Sequence, residues 1–128
     1  MAWTAVFAPP EFEERYLAIM LAALVDMNVL FLKERPSTPS LYQSGVRYKR
    51  EPKTLDHWIS IPFVLRRRFG DCEDLASWRA AELRVHGEDA SAIPKHVKTW
   101  PDGSKLFHIL VKRGNGRLED PSKRLGMG

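Results

Sequence analysis

One cysteine, Cys72, stands where a short polar turn runs into a helical pattern, and the rest of the chain is read around it. The stretch is Gly70-Asp71-Cys72-Glu73-Asp74-Leu75-Ala76. Asp71 is a good N-cap residue, and Asp74 three positions on completes a box-like pair. Helical spacing continues through Trp78, Ala80, Ala81, Leu83 and Val85, and Gly87 supplies the stop. The pattern therefore predicts a helix whose first turn carries the thiol. Backbone N–H groups and the positive end of the helix dipole favour a thiolate there, and the same N–H groups can hold an oxyanion. Glu73 and Asp74 act the other way, since nearby carboxylates disfavour thiolate. A lone cysteine also serves as a small buried hydrophobe.

At 128 residues, a single domain is expected over 1–128, with an N-terminal helical segment (1–35) and a catalytic core (41–128). Such a length buries a core without disulfides or metal. One cysteine permits no intrachain disulfide and argues against a cysteine-based zinc site, so no cofactor or metal is expected. The net charge of +4 allows weak attraction to acidic surfaces but is no signature of nucleic-acid binding. No internal repeat or low-complexity segment is visible. Leu17 to Leu32 is strongly apolar, yet Asp26 and Asn28 interrupt it, and it falls short of the ~20 residues a spanning helix needs. Glu11, Glu13 and Glu14 before it are the wrong charge for a signal peptide. The expectation is a cytoplasmic protein without a membrane partner.

In chain order, Pro9-Pro10 marks a helix start, and Glu11 to Lys33 reads as one long helix on the spacing of Tyr16, Leu17, Met20, Leu21, Leu24, Met27, Leu30 and Phe31. Its apolar face is wide, which suits packing and also suits homo-oligomer formation or assembly through this helix. Arg35 to Pro39 breaks the pattern, and Leu41 to Arg50 reads as extended or turn-rich. Pro62 separates Thr54–Ile61 from Phe63–Phe69. Trp58 suits a core indole or a pocket wall, and Arg66-Arg67-Arg68 a solvated face or positive rim. Glu88 to Trp100 is less regular, with a strand expected at Val97 to Trp100. Pro101 to Ser104 is a turn. Lys105 to Lys112 is a strand with Leu106, His108 and Leu110 on one face and Phe107, Ile109 and Val111 on the other. Gly114-Asn115-Gly116 signals a hairpin turn, Arg117 to Asp120 the returning strand, and Pro121 its end.

A nucleophilic cysteine needs a base. His86, on the same helix and roughly 21 Å from Cys72 at helical rise, does not reach it and suits the helix C-terminus. His57 and His96 sit in charged or loop-like sequence. His108, mid-strand among apolar neighbours, needs a partner. A three-residue loop at 114–116 pairs Arg113 with Arg117 and sets Leu110 opposite Asp120. His108 and Asp120 then share a face as diagonal neighbours, roughly 7–8 Å apart at the backbone. A two-residue loop would put them on opposite faces. With the odd loop, Cys72 is the nucleophile, His108 the general base and then acid, and Asp120 the group that orients the imidazole. The Cys72 N–H is one oxyanion donor, and Gln43 or Tyr42 is the candidate for the second.

The motif Gly70-Asp71-Cys72-Glu73-Asp74-Leu75-Ala76, followed by His108 on a strand and Asp120-Pro121 on the next, resembles the transglutaminase-like cysteine protease superfamily, with small bacterial and phage members most alike. The resemblance spans Trp58 to Pro121. It implies an α+β, papain-like core with the cysteine helix packed on an antiparallel sheet. It implies acyl transfer through a thioester: peptide or isopeptide hydrolysis, deamidation or transamidation of a protein or peptide substrate. The chain is short for that family, and no calcium-binding carboxylate cluster is visible. A different reading of the same residues is a structural or interaction module, such as a virion or assembly component, that keeps the fold without catalysis. A nucleic-acid binder built on Arg66 to Arg68 and Lys49-Arg50 lacks the aromatic interleaving such a surface needs.

Overall fold

The computed structural model describes residues 12–50, 58–103 and 105–128. The expected helix start at Pro9-Pro10, His57, and Thr54 to Asp56 lie outside them. The described chain mixes helices with two small sheets, an α+β arrangement.

Helix α1 runs Glu13–Glu34, with Glu13 and Glu14 in its first turn and Lys33 in its last, as the helix dipole favours. It buries Leu17, Leu21, Leu24, Val25 and Leu32 against α3 (Cys72–Val85) and β3 (Ser91–Thr99). At 22 residues and mean hydropathy 1.8 over its most apolar stretch, it meets the length and composition of a spanning helix, which the shorter apolar run read from sequence did not. Asn28, one of the two interruptions in that run, is fully buried. Its Oδ1 accepts from the Ile61 N–H at 3.0 Å and so satisfies a first-turn donor of α2 (Ile61–Arg67). Pro62 is therefore no break: it sits in the first turn of α2, where its missing N–H costs nothing.

Leu41–Gln43 forms a 3-10 turn, and Arg47–Tyr48 (β1) pairs in parallel with Phe69–Gly70 (β2). Tyr48 thereby lies beside Gly70, two residues before the cysteine. Helix α3 ends as its sequence predicts. His86 is the C-cap, Gly87 takes φ +92°, and the Gly87 and Glu88 N–H groups close back on Arg84 and Leu83. Leu75, Trp78, Ala80 and Ala81 form the core with Leu21 and Val25 of α1 and Ile109 and Val111 of β4 (Lys105–Lys112).

The larger sheet has the order β3-β4-β5, all antiparallel, with β5 at Leu118–Glu119. Strand β3 covers Ser91–Thr99, far more than the predicted Val97 to Trp100. Its sequence hides it, because Lys95, His96, Val97 and Lys98 are exposed on an edge strand and a bulge falls between His96 and Lys98. Pro94 is tolerated for the same edge reason. Strand β4 has the predicted limits and faces: Phe107, Ile109 and Val111 are buried. Pro121 does end the strand, but by opening a short helix α4, Pro121–Arg124, capped by Asp120.

The hairpin adopts the odd loop. Val111 pairs with Glu119 and Lys112 with Leu118, and the Arg113 N–H donates to the Arg117 carbonyl at 2.7 Å around Gly114-Asn115-Gly116. Gly116 holds φ +87°, and a Cβ there would meet no atom within 4 Å. Gly116→Ala should therefore cost about 1–2 kcal/mol from backbone strain alone. A urea melt checks this: the midpoint should fall with the slope unchanged.

Candidate functional site

The start of α3 is built by carboxylates. Asp71 accepts from the Cys72 N–H at 2.7 Å and from the Asp74 N–H, and the Asp74 Oδ2 accepts from the Asp71 N–H at 3.1 Å. The box read from sequence is complete. Asp74 goes further than a cap. It is fully buried and also accepts from the Ile59 N–H at 3.0 Å and from Arg67 at 3.1 Å. Arg67 is thus no part of a solvated face, and its guanidinium also stacks over Phe69. Burial pushes the Asp74 carboxyl up to about 7, against the pull of these donors.

The base pair follows from the register. His108 Nε2 donates to Asp120 Oδ2 at 2.9 Å, with both side chains about one-fifth exposed. Asp120 Oδ1 also accepts from the Lys123 N–H, so α4 fixes the carboxylate that orients the imidazole. Nδ1 is left as the nitrogen available for a proton from elsewhere.

Cys72 lies against the same strand. Since Arg113 directs its N–H to β5, residues 111 and 109 turn theirs the same way. By position 109 strand β5 has given way to Pro121, so the Ile109 N–H has no ladder partner on that side and reaches the Cys72 sulfur instead. The thiol is therefore beside the strand residue next to His108. Among the described residues no hydrogen bond joins Cys72 to His108; the thiol donates to Glu73 Oε2 at 3.4 Å.

Two sequence expectations are corrected here. The helix terminus does not favour a thiolate. Burial first, then Glu73 and Asp71, push the Cys72 thiol well above its ordinary value, and the Ile109 N–H offsets this only in part. The opposing carboxylates are Glu73 and Asp71, whereas Asp74 is taken up in the cap. The Cys72 N–H is held by Asp71, so an oxyanion there would have to displace that carboxylate.

Of the two proposed second donors, Tyr42 is turned away from the cysteine, and Gln43 bonds a neighbouring serine. The Tyr42 hydroxyl donates to Glu119, and its ring lies under Arg79 and Arg124. Arg79 is seven residues along α3 from Cys72, roughly 10 Å at helical rise. Gln43 accepts from the Ser40 hydroxyl. The tyrosine at the site is Tyr48, which sequence reasoning missed. Its phenol is pushed up to about 12 by burial and by the charges of Asp71, Cys72 and Glu73. A two-residue parallel pairing left no pattern that would have found it. The remaining histidines lie elsewhere: His96 bonds Thr99 at 2.7 Å, and His86 caps α3. Trp58 packs on the core, half-buried.

Asp71, Cys72 and Glu73 bring one ligand atom each within 4.8 Å of one another. This mixed oxygen and sulfur set is the one grouping of its kind among the described residues, and it needs no second cysteine. Compared with protein families, curated proteins and solved structures, the chain matches none.

Two measurements follow. Glu73→Gln removes the nearest like charge, so iodoacetamide alkylation of Cys72 near pH 8 should be faster than in the wild type, and its pH midpoint lower. For Asp74, the folded group holds its proton up to about pH 7 while the unfolded one loses it near 3.8. Its contribution is thus fully present below about pH 4 and is lost as pH rises through about 7. Urea melts of Asp74→Asn should show a flatter stability profile across that window than the wild type.

Proposed function

We propose that this chain is a cysteine-dependent acyltransferase or hydrolase, working through a thioester on a papain-like, transglutaminase-like core with Cys72, His108 and Asp120. The observation that carries the reading is the 2.9 Å His108–Asp120 bond, on a strand whose next residue, Ile109, donates to the Cys72 sulfur. An imidazole oriented by a carboxylate beside a thiol at a helix N-terminus is the arrangement that acyl transfer uses.

In the chemical step the Cys72 sulfur attacks a carbonyl carbon and its proton passes to His108 Nδ1. Asp120 holds the imidazole and steadies its positive charge. The tetrahedral intermediate collapses with cleavage of the carbon–nitrogen bond, and the amine leaves with the proton from His108. Water, giving its proton to His108, then attacks the thioester carbonyl; the carbon–sulfur bond breaks and His108 returns the proton to the Cys72 sulfur, while an amine in place of water gives transamidation. The proposed substrate is a protein or peptide amide.

As folded, the site is held at rest by its own carboxylates: Glu73 accepts a hydrogen bond from the thiol and Asp71 one from the Cys72 N–H. The reading requires the substrate carbonyl to displace Asp71 from that N–H, and the thiol to turn from Glu73 to His108. The same two contacts favour a second reading, a non-catalytic structural or assembly module in which Cys72 is a buried neutral thiol.

p-Nitrophenyl acetate separates the two. An active site gives p-nitrophenolate release with an acetyl group on Cys72 by mass spectrometry. Cys72→Ala should abolish it, His108→Ala should lower acylation by about 10²–10⁴-fold, and Asp120→Asn should lower it by less. Release that is absent in the wild type, or unchanged in His108→Ala, sinks the triad and leaves the module.

A further inference from the structure

Helix α1 buries only one of its apolar faces. Ile19, Met27 and Leu30 are 67%, 55% and 61% exposed, and Ala23 between them is exposed too. The spacing 19, 23, 27, 30 keeps all four in one stripe along the helix. Scattered exposed apolar residues need no explanation, but a continuous stripe on one helix marks a contact surface.

The ends of the stripe identify the partner. Arg15 precedes Ile19 by one turn and Glu34 follows Leu30 by one turn, so both continue the same row. Both are exposed, and neither makes an ion pair among the described residues; Arg15 lies only over the Phe12 ring. We propose that the stripe packs on the same stripe of a second copy of this chain, with the two α1 helices antiparallel. In that orientation Ile19 of one copy faces Leu30 of the other, Ala22 faces Met27, and Arg15 faces Glu34, twice by symmetry. A parallel pair would set Arg15 against Arg15 and Glu34 against Glu34, which charge repulsion opposes. Asp26, near the two-fold axis, lies opposite the small Ala23 and is bound to Arg84 of its own chain at 3.4 Å. The pairing is independent of any chemistry at Cys72.

Sedimentation equilibrium of the full chain tests it. The wild type should be a dimer, and Ile19→Ser, at an exposed position, should be monomeric with unchanged far-UV circular dichroism. Arg15→Glu turns both end pairs repulsive and should weaken the dimer by about tenfold or more. Arg15→Glu combined with Glu34→Arg should restore it. A monomeric wild type overturns the proposal, as does a monomer that floats with phosphatidylglycerol vesicles, which would make the stripe a membrane face. A dimer weakened by Arg15→Glu but not rescued by the double exchange overturns the antiparallel register.

Discussion

The buried Asp74 carboxylate holds the site together. It is the point at which the segment before α2, the end of α2 and the start of α3 meet, through Ile59, Arg67 and Asp71. A buried carboxylate is costly unless its oxygens are satisfied, and these three donors from three places in the chain satisfy it. The result is a turn with little freedom. Gly70 lies close against Asp74 and Leu75, with room for no side chain to spare, and Cys72 follows in a fixed position. The position of the thiol is therefore set by a carboxylate that never touches it.

A second constraint comes from the opposite end of the chain. A loop of three residues, with Gly116 in the left-handed conformation, fixes the register of β4 and β5. That register does two things at once. It puts Asp120 on the His108 face, and it ends β5 just where the Ile109 N–H would have found a partner, leaving that donor for the sulfur. Hairpin geometry and site geometry are one fact. Beyond the site, Glu119 on the same short strand anchors Tyr42, Arg79 and Arg113, so the neighbours of Asp120 are tied to α3 by charge as well as by packing.

The electrostatics run against the simple expectation for a cysteine at a helix terminus. The dipole contributes a fraction of a charge, whereas burial and two adjacent carboxylates act directly on the sulfur. The larger effects win, and the thiol stays protonated.

What the sequence by itself determined are the features held by local rules. The capping box at Asp71 and Asp74, the Gly87 stop, the limits and faces of β4 and the hairpin turn at 114–116 each depend on residues a few positions apart, so chain order is enough to read them; the length of that loop, three residues and not two, came from the fold. What only the tertiary structure decided depends on contacts across the chain. Strand β3 is an edge whose exposed lysines give it no alternating pattern. Pro62 opens a helix rather than separating two segments, and Pro121 ends its strand by opening another, because Asn28 and Asp120 satisfy the donors around them. Tyr48 lies near the cysteine, beside Gly70, because β1 pairs with β2, a match of two residues with no signature. The state of the thiol was decided last. Burial and neighbouring charge are properties of the packed chain, and no spacing of residues along it encodes how far water is kept from a sulfur atom.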